Sequence, residues 1–361
     1  MPRRRMNVSC IALLLGVFLA GCVPPSSNVS ATTTGQRPAT QITTADPPAQ
    51  TPDQTATVFV PLVGTPQAAP TGWTTLAPLP TARTEVAAAT LAGAIYVAGG
   101  YAVDGSTLAI VERYNPATDQ WTAVAPLPEG RNHMGLAALG GRLYAVGGYS
   151  GPISASIVAA DVWAYDPAAD SWTSVAPLPT PRAAHALVAD GGRLFVVGGV
   201  GPDARTTLTY DPTTDRWNTL APIPTEREHL AVAVLDGRIY AVAGRAAGGN
   251  LDVAEVYLIA EDRWETLAPL PTARSGLAAA ILDGRVAIVG GEAIDGSGRT
   301  FAELELFNPA TGQWAAETPM PTARHGLGAV VVDGALYVLG GGPVAGLTVS
   351  GANERFIPNP R

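Results

Sequence analysis

The chain has 361 residues, 47% of them hydrophobic and only 14% charged, which is the balance of a globular protein with little intrinsic disorder. All 22 basic residues are arginine, so Schiff-base chemistry and lysine general bases are excluded. A formal net charge of −8 disfavours nucleic acid as a partner.

The first 21 residues read as a targeting segment. Arg3, Arg4 and Arg5 form a basic start, Ile11 to Leu19 a short apolar run, and the segment closes on Leu19-Ala20-Gly21-Cys22. A secretory signal has the same basic and apolar regions, and the run is too short to span a bilayer comfortably. The Leu-Ala-Gly-Cys ending resembles the bacterial lipobox, which implies cleavage before Cys22, lipid on its thiol and a place on the outer face of a membrane, in the cell envelope. Residues 1–21 carry three Arg and no acid, so their removal takes the charge from −8 to −11. Cys10 leaves with the signal, and the rest of the chain then holds no free thiol and no disulfide.

Residues 22–71 are rich in Pro, Thr, Ala, Ser and Gln and nearly uncharged. Such a segment buries too little apolar surface to offset its ordering entropy. It is expected to be a disordered tether with a reach of roughly 40 to 150 Å. Val58-Phe59-Val60-Pro61-Leu62-Val63 is its one apolar patch.

From residue 72 one phrase recurs six times. Trp-Thr-Thr-Leu-Ala-Pro-Leu-Pro-Thr-Ala-Arg begins at Trp73, and variants of it begin at Trp121, Trp172, Trp217, Trp264 and Trp314, at intervals of 45 to 51 residues. Ten residues after each Trp stands an Arg: Arg83, Arg131, Arg182, Arg227, Arg274 and Arg324. Sixteen further on comes a glycine doublet, at Gly99, Gly147, Gly198, Gly290 and Gly340, with Ala243-Gly244 as the one lapse. A fixed period of this length predicts a repeat architecture of propeller blades.

Within a copy the small apolar run Val86–Leu91 suits a crowded axis, and Ala92-Gly93 turns the chain into a second run, Ala94–Ala98. Later copies put Asp-Gly at this turn, at Asp236, Asp283 and Asp333, which is hairpin chemistry. A third strand, Val111–Tyr114, stops at Asn115-Pro116, and Trp121 opens the fourth. The Ala-Pro-Leu-Pro segment then ends strand pairing, because proline offers no ladder donor. From doublet to third-strand proline the spacing varies between 14 and 20 residues, whereas the other segments keep their length. Variable loops on a rigid scaffold are where specificity usually sits.

This pattern of small-residue strand, hairpin, Tyr-rich strand ending in Asp/Asn-Pro and then Trp resembles the Kelch repeat over residues 72–361. The resemblance implies an all-β, six-bladed propeller of four-stranded blades. The chain opens on a Trp segment and its last third strand, around Asn353–Pro358, has no following Trp, so the Trp73 strand is expected to complete the last blade. The fourth copy lacks both the full doublet and Asp-Pro after Tyr257, and is expected to be irregular.

Candidate functional residues cluster after the repeat Arg. The six Arg side chains would ring one mouth and offer bidentate sites to an anion, or else bridge neighbouring blades. His133, His185, His229 and His325 come within three residues of it, and His133, His229 and His325 have the three-fold spacing of a transition-metal site or a structural hydrogen-bonding role. Residues that differ between copies, including Glu85, Glu228 and His325, give the asymmetry a ligand would need. Trp163 alone stands outside the Trp repeat, after the longest loop, either as an exposed contact or as a buried third-strand residue. No cofactor motif is present: Gly-x-Ser-x-Gly, His-Glu-x-x-His and Walker-type segments are missing, and the copper-radical oxidases built on Kelch-like propellers need a cysteine this domain lacks.

These features point first to a lipid-anchored extracytoplasmic propeller that binds a protein or a glycan on its loop face. The alternative is a sugar-active enzyme resembling sialic-acid mutarotases, with Glu85, Glu228 and mouth Arg residues acting on an anionic sugar. A third is a scaffold without a small ligand. Fold alone does not separate them.

Overall fold

The computed structural model describes residues 71–247 and 249–359. The expected signal, lipidation site and tether lie outside these residues, apart from Thr71. Six four-stranded antiparallel sheets succeed one another along the chain, and their innermost strands each pack against two neighbours, so the sheets close into a ring. Blade 1 comprises Ala87–Leu91, Ala94–Ala98, Val111–Asn115 and Gln120–Val124. The sixth blade takes its outer strand from the start of the propeller, Gly72–Thr75 pairing with Asn353–Ile357 and Trp73 lying opposite Phe356.

The hairpins form as their sequences predict. Asp236-Gly237, Asp283-Gly284 and Asp333-Gly334 all have positive φ at both turn residues, as does Ala92-Gly93. That is the turn whose twist suits a two-residue hairpin. The hydrophobic core is divided into six slabs, each between two blades; between blades 1 and 2 it holds Tyr96, Leu143, Trp163 and Tyr165. Second strands such as Ala94–Ala98 are buried along their whole length, because each is covered on both faces.

The repeated phrase stitches the blades together. Each repeat Trp donates its indole N–H to a carbonyl of the connection that leads from the preceding blade into its own, as in Trp121 to Ala77 O at 2.9 Å and Trp172 to Ala125 O at 2.9 Å. In four blades a third-strand Tyr donates to an Asp five residues on, and that Asp also accepts the N–H of the same connection. Tyr114 to Asp119 at 2.7 Å, with Ala77 N to Asp119 at 2.8 Å, is one instance.

The fourth blade departs from expectation. It is a regular four-stranded sheet, Ala231–Leu235, Arg238–Val242, Ala254–Leu258 and Arg263–Thr266. The inter-blade bond is made by the second residue of each doublet, and Gly244 N still reaches Arg274 O at 3.0 Å. Ala243 adopts the left-handed φ of 58° that glycine has in the other copies.

Candidate functional site at the axial mouth

The six repeat Arg residues do not ring the mouth. All are at most 2% exposed, with their side chains turned into the blades. Arg83, Arg227, Arg274 and Arg324 each pair with a third-strand glutamate: Glu112, Glu255 at 2.5 Å, Glu305 at 2.6 Å and Glu354 at 2.5 Å. A carboxylate opposite each guanidinium compensates a burial that is otherwise prohibitive. Arg131 bonds Asp161 at 2.7 Å and Glu129 at 2.8 Å, and Arg182 donates to the carbonyls of Thr206 and Asp203. The anion-binding ring is therefore replaced by six internal braces. Trp163, expected as a possible exposed contact, is 6% exposed and lies beneath Arg131.

The residues just after each Arg do reach the axis, and their offset sets their depth. The residue one after the Arg bridges, backbone to backbone, with the residue just after the glycine doublet: Thr84 with Tyr101, Asn132 with Tyr149, Glu228 with Arg245, Ser275 with Glu292, His325 with Gly342. This also brings the variable loops and the Arg connections onto one face. The residue two after the Arg is left-handed in every blade, with φ of 54° at Glu85, 49° at His133, 51° at Ala184, 50° at His229, 63° at Gly276 and 59° at Gly326. Non-glycine residues in this region are strained and mark over-determined sites. Backbone bonds run around this level from blade to blade, from His133 N to Glu85 O at 3.2 Å through Gly326 N to Gly276 O at 2.8 Å. Three after the Arg comes an apolar layer that includes Met134, Leu230, Leu277 and Leu327, interrupted by His185.

Above the collar opens a cavity of about 360 Å³. Polar groups of five blades converge on it: Glu85 and Tyr101, His133 and Tyr149, Glu228 with His229 and Arg245, Glu292, and His325. Ile153 and Leu347, from loops of blades 2 and 6, supply its apolar lip. Gly326 has no Cβ where one would stand 2.6 Å from Glu85 Oε1, so the glycine gives the Glu85 carboxylate its room.

The side chains are tied to one another. His133 Nε2 is 3.2 Å from Glu85 Oε2, and its ring meets Tyr149 edge-on at 5.5 Å and His229 at 4.7 Å between centroids. Arg245 donates to Glu228 at 3.0 Å, to Glu292 at 3.1 Å and to His229 Nε2 at 3.1 Å. His325 donates from Nδ1 to Gly342 O at 3.0 Å and turns Nε2 between Glu292 and Glu85. Burial pushes the Glu85 carboxyl up, but His133, His229, His325 and Arg245 together outweigh it and hold the group below its usual range. Glu228 is likewise raised by burial and brought down to about 2 by His229 and Arg245. Burial drives His133 down to about 4, so its imidazole is neutral at physiological pH.

Of the sequence-derived candidates, Glu85, His133, Glu228, His229 and His325 meet in this cavity, and the six Arg, His185 and Trp163 do not. Tyr101, Tyr149, Arg245 and Glu292 were missed. Three stand directly after a glycine doublet and Arg245 after its counterpart Ala243-Gly244, so a varying residue beside a nearly constant pair was the signal.

A closed ring of six four-stranded sheets with a polar axial pocket defines a six-bladed β-propeller. The chain matches the KLHDC2/KLHL20/DRC7 Kelch-repeats domain over residues 71–223 and 177–341, and it belongs to the Kelch-repeat family. It is similar to the solved structure of YjhT, with a TM-score of 0.68 at 20% identity over 77% of this chain and 95% of that one. It is also 30% identical over 127 residues to Kelch-like protein 35 of Mus musculus, a match that covers 35% of this chain and 21% of that relative. The chain thus matches about a fifth of the curated relative's length.

Proposed function

We propose that the protein is an extracytoplasmic binding module, held at the membrane by lipid on Cys22, whose mouth cavity takes a carbohydrate residue of its ligand. The supporting observation is the make-up of that cavity, where carboxylates and imidazoles of five blades stand beside the Tyr101 and Tyr149 rings under an apolar lip. Aromatic faces and a few placed polar groups are what fix a small polyhydroxylated ligand in a concave site. Three carboxylates, Glu85, Glu228 and Glu292, oppose the single guanidinium of Arg245, so the cavity favours a neutral or cationic sugar over an anionic one. A glycan array probed with the full-length chain tests this. Binding to neutral or amino sugars, lost in Tyr149→Ala with melting unchanged, is the expected result. A blank array alongside specific capture by a protein would overturn the sugar reading.

A second reading, a sugar-active enzyme resembling sialic-acid mutarotases, draws on the pairing of Glu228 with Arg245 beside Glu85. The withdrawal of the six repeat Arg residues removes most of the positive charge it assumed. Turnover of an acidic sugar, abolished by Glu228→Gln, is the result that would favour it.

A further inference from the structure

We propose that the axial collar holds one divalent transition-metal ion of the zinc type, ligated by Glu85, His133 and His229. Each of the three offers a ligand atom, and these atoms lie within 4.8 Å of one another. They come from the left-handed position of blades 1, 2 and 4, so the backbone ring itself aims them at the axis.

The hydrogen-bond assignments call for a cation. Asn132 donates its amide N–H to Thr107 Oγ1 at 2.9 Å and to Tyr149 O at 3.3 Å, which leaves Asn132 Oδ1 facing His133 Nδ1 at 2.5 Å. His133 Nδ1 therefore carries a hydrogen, and with that nitrogen as the donor a deprotonated Nε2 presents its lone pair to the carboxylate oxygen of Glu85 at 3.2 Å. Two acceptors at that distance repel unless a positive charge lies between them. With metal bonds of about 2.0–2.2 Å, neighbouring ligands of a tetrahedral ion stand roughly 3.3–3.5 Å apart. His229 is held differently: its Nδ1 lies 3.5 Å from Glu228 Oε2 without a hydrogen bond, and Nε2 is an acceptor, taking an N–H from Arg245. Metal binding exchanges with that one bond and leaves Arg245 its ion pairs to Glu228 and Glu292. An outer-shell oxygen that fixes the Nδ1–H tautomer of a ligating histidine is what metal sites commonly build, and here Asn132 supplies it to His133. Two imidazoles and one carboxylate suit zinc or its neighbours better than calcium or magnesium.

The test is calorimetric titration of the full-length, EDTA-treated chain with Zn²⁺ alone, so it is independent of any sugar. Saturation at one ion per chain is expected, with affinity at least tenfold weaker in Glu85→Gln and in His133→Ala, and 10- to 100-fold weaker in Asn132→Leu. Circular dichroism of each variant without zinc checks that it is folded. No uptake by the folded chain at millimolar zinc overturns the proposal. So does stoichiometric binding that survives both ligand substitutions.

Discussion

Arg131 holds its guanidinium 4.7 Å above the ring of Trp163, which occupies the third-strand position that four other blades give to glutamate. The register makes the equivalence plain: Trp163 pairs with Ala145 as Glu112 pairs with Val97 and Glu354 with Val338. In the third blade the same position is Leu208, and there Arg182 is left with carbonyl partners only. The brace is thus built in three ways, by ion pair, by cation–π stacking with outlying carboxylates, and by backbone acceptors.

The stack in blade 2 is measurable by a double-mutant cycle. Trp163→Ala is expected to cost about 3–5 kcal/mol through the cavity it leaves. Arg131→Met should cost about 0.5–2 kcal/mol less in the Trp163→Ala background than in the native one. Urea titration of the four proteins gives the coupling, and strict additivity would show that the two side chains merely lie near each other.

The glycine doublet separates conformational strain from collision. A Cβ at Gly147 would collide with Arg182 O, within the inter-blade bond itself. Gly147→Ala should therefore cost at least about 2 kcal/mol. Ala243→Gly, where the left-handed alanine is already accommodated, should change stability by less than about 1 kcal/mol. Equal effects in thermal melts would mean that backbone conformation alone sets the preference.

His185 should make the propeller sensitive to acid. It is 7% exposed, both ring nitrogens lack hydrogen-bond partners, and burial followed by the nearby Arg182 charge takes it from 6.5 down to about 3. The unfolded chain therefore takes up the proton first. Stability is intact above 6.5 and falls by about 1.4 kcal/mol per pH unit as pH drops toward 3. His185→Leu, which continues the apolar layer, should narrow the gap between urea midpoints at pH 7 and pH 5, corresponding to about 2 kcal/mol. An unchanged gap would place the acid sensitivity elsewhere.

Blade number, hairpins and the closing strand were legible because each rests on local chemistry repeated at a fixed period. The direction of the repeat Arg side chains was not, since spacing locates a residue along the chain and leaves its partner open. Glu112, Glu255, Glu305 and Glu354 each stand two residues before the third-strand aromatic, and that recurrence was the missing half of the pattern. The axial His residues were found, but their one-, two- and three-residue offsets from the Arg fix three different depths. Thus His325 lies at the rim, His133 and His229 at the collar, and His185 below it. Similar closeness in sequence had suggested one shared level.

Pairing of Gly72–Thr75 with Asn353–Ile357 has a consequence for biosynthesis. As the chain leaves the ribosome, blades 1 to 5 emerge complete, each with its four strands in sequence. The strand at 72–75 leaves first but has no sheet to join until residues near 357 have been made. Throughout that interval the arc stays open, with the inner face of blade 1 uncovered, and a contact spanning most of the domain must form last. Such long-range closures are slow, so the nascent protein passes through a long-lived incomplete ring, in which a second chain's free Trp73 strand is a competitor for the same edge.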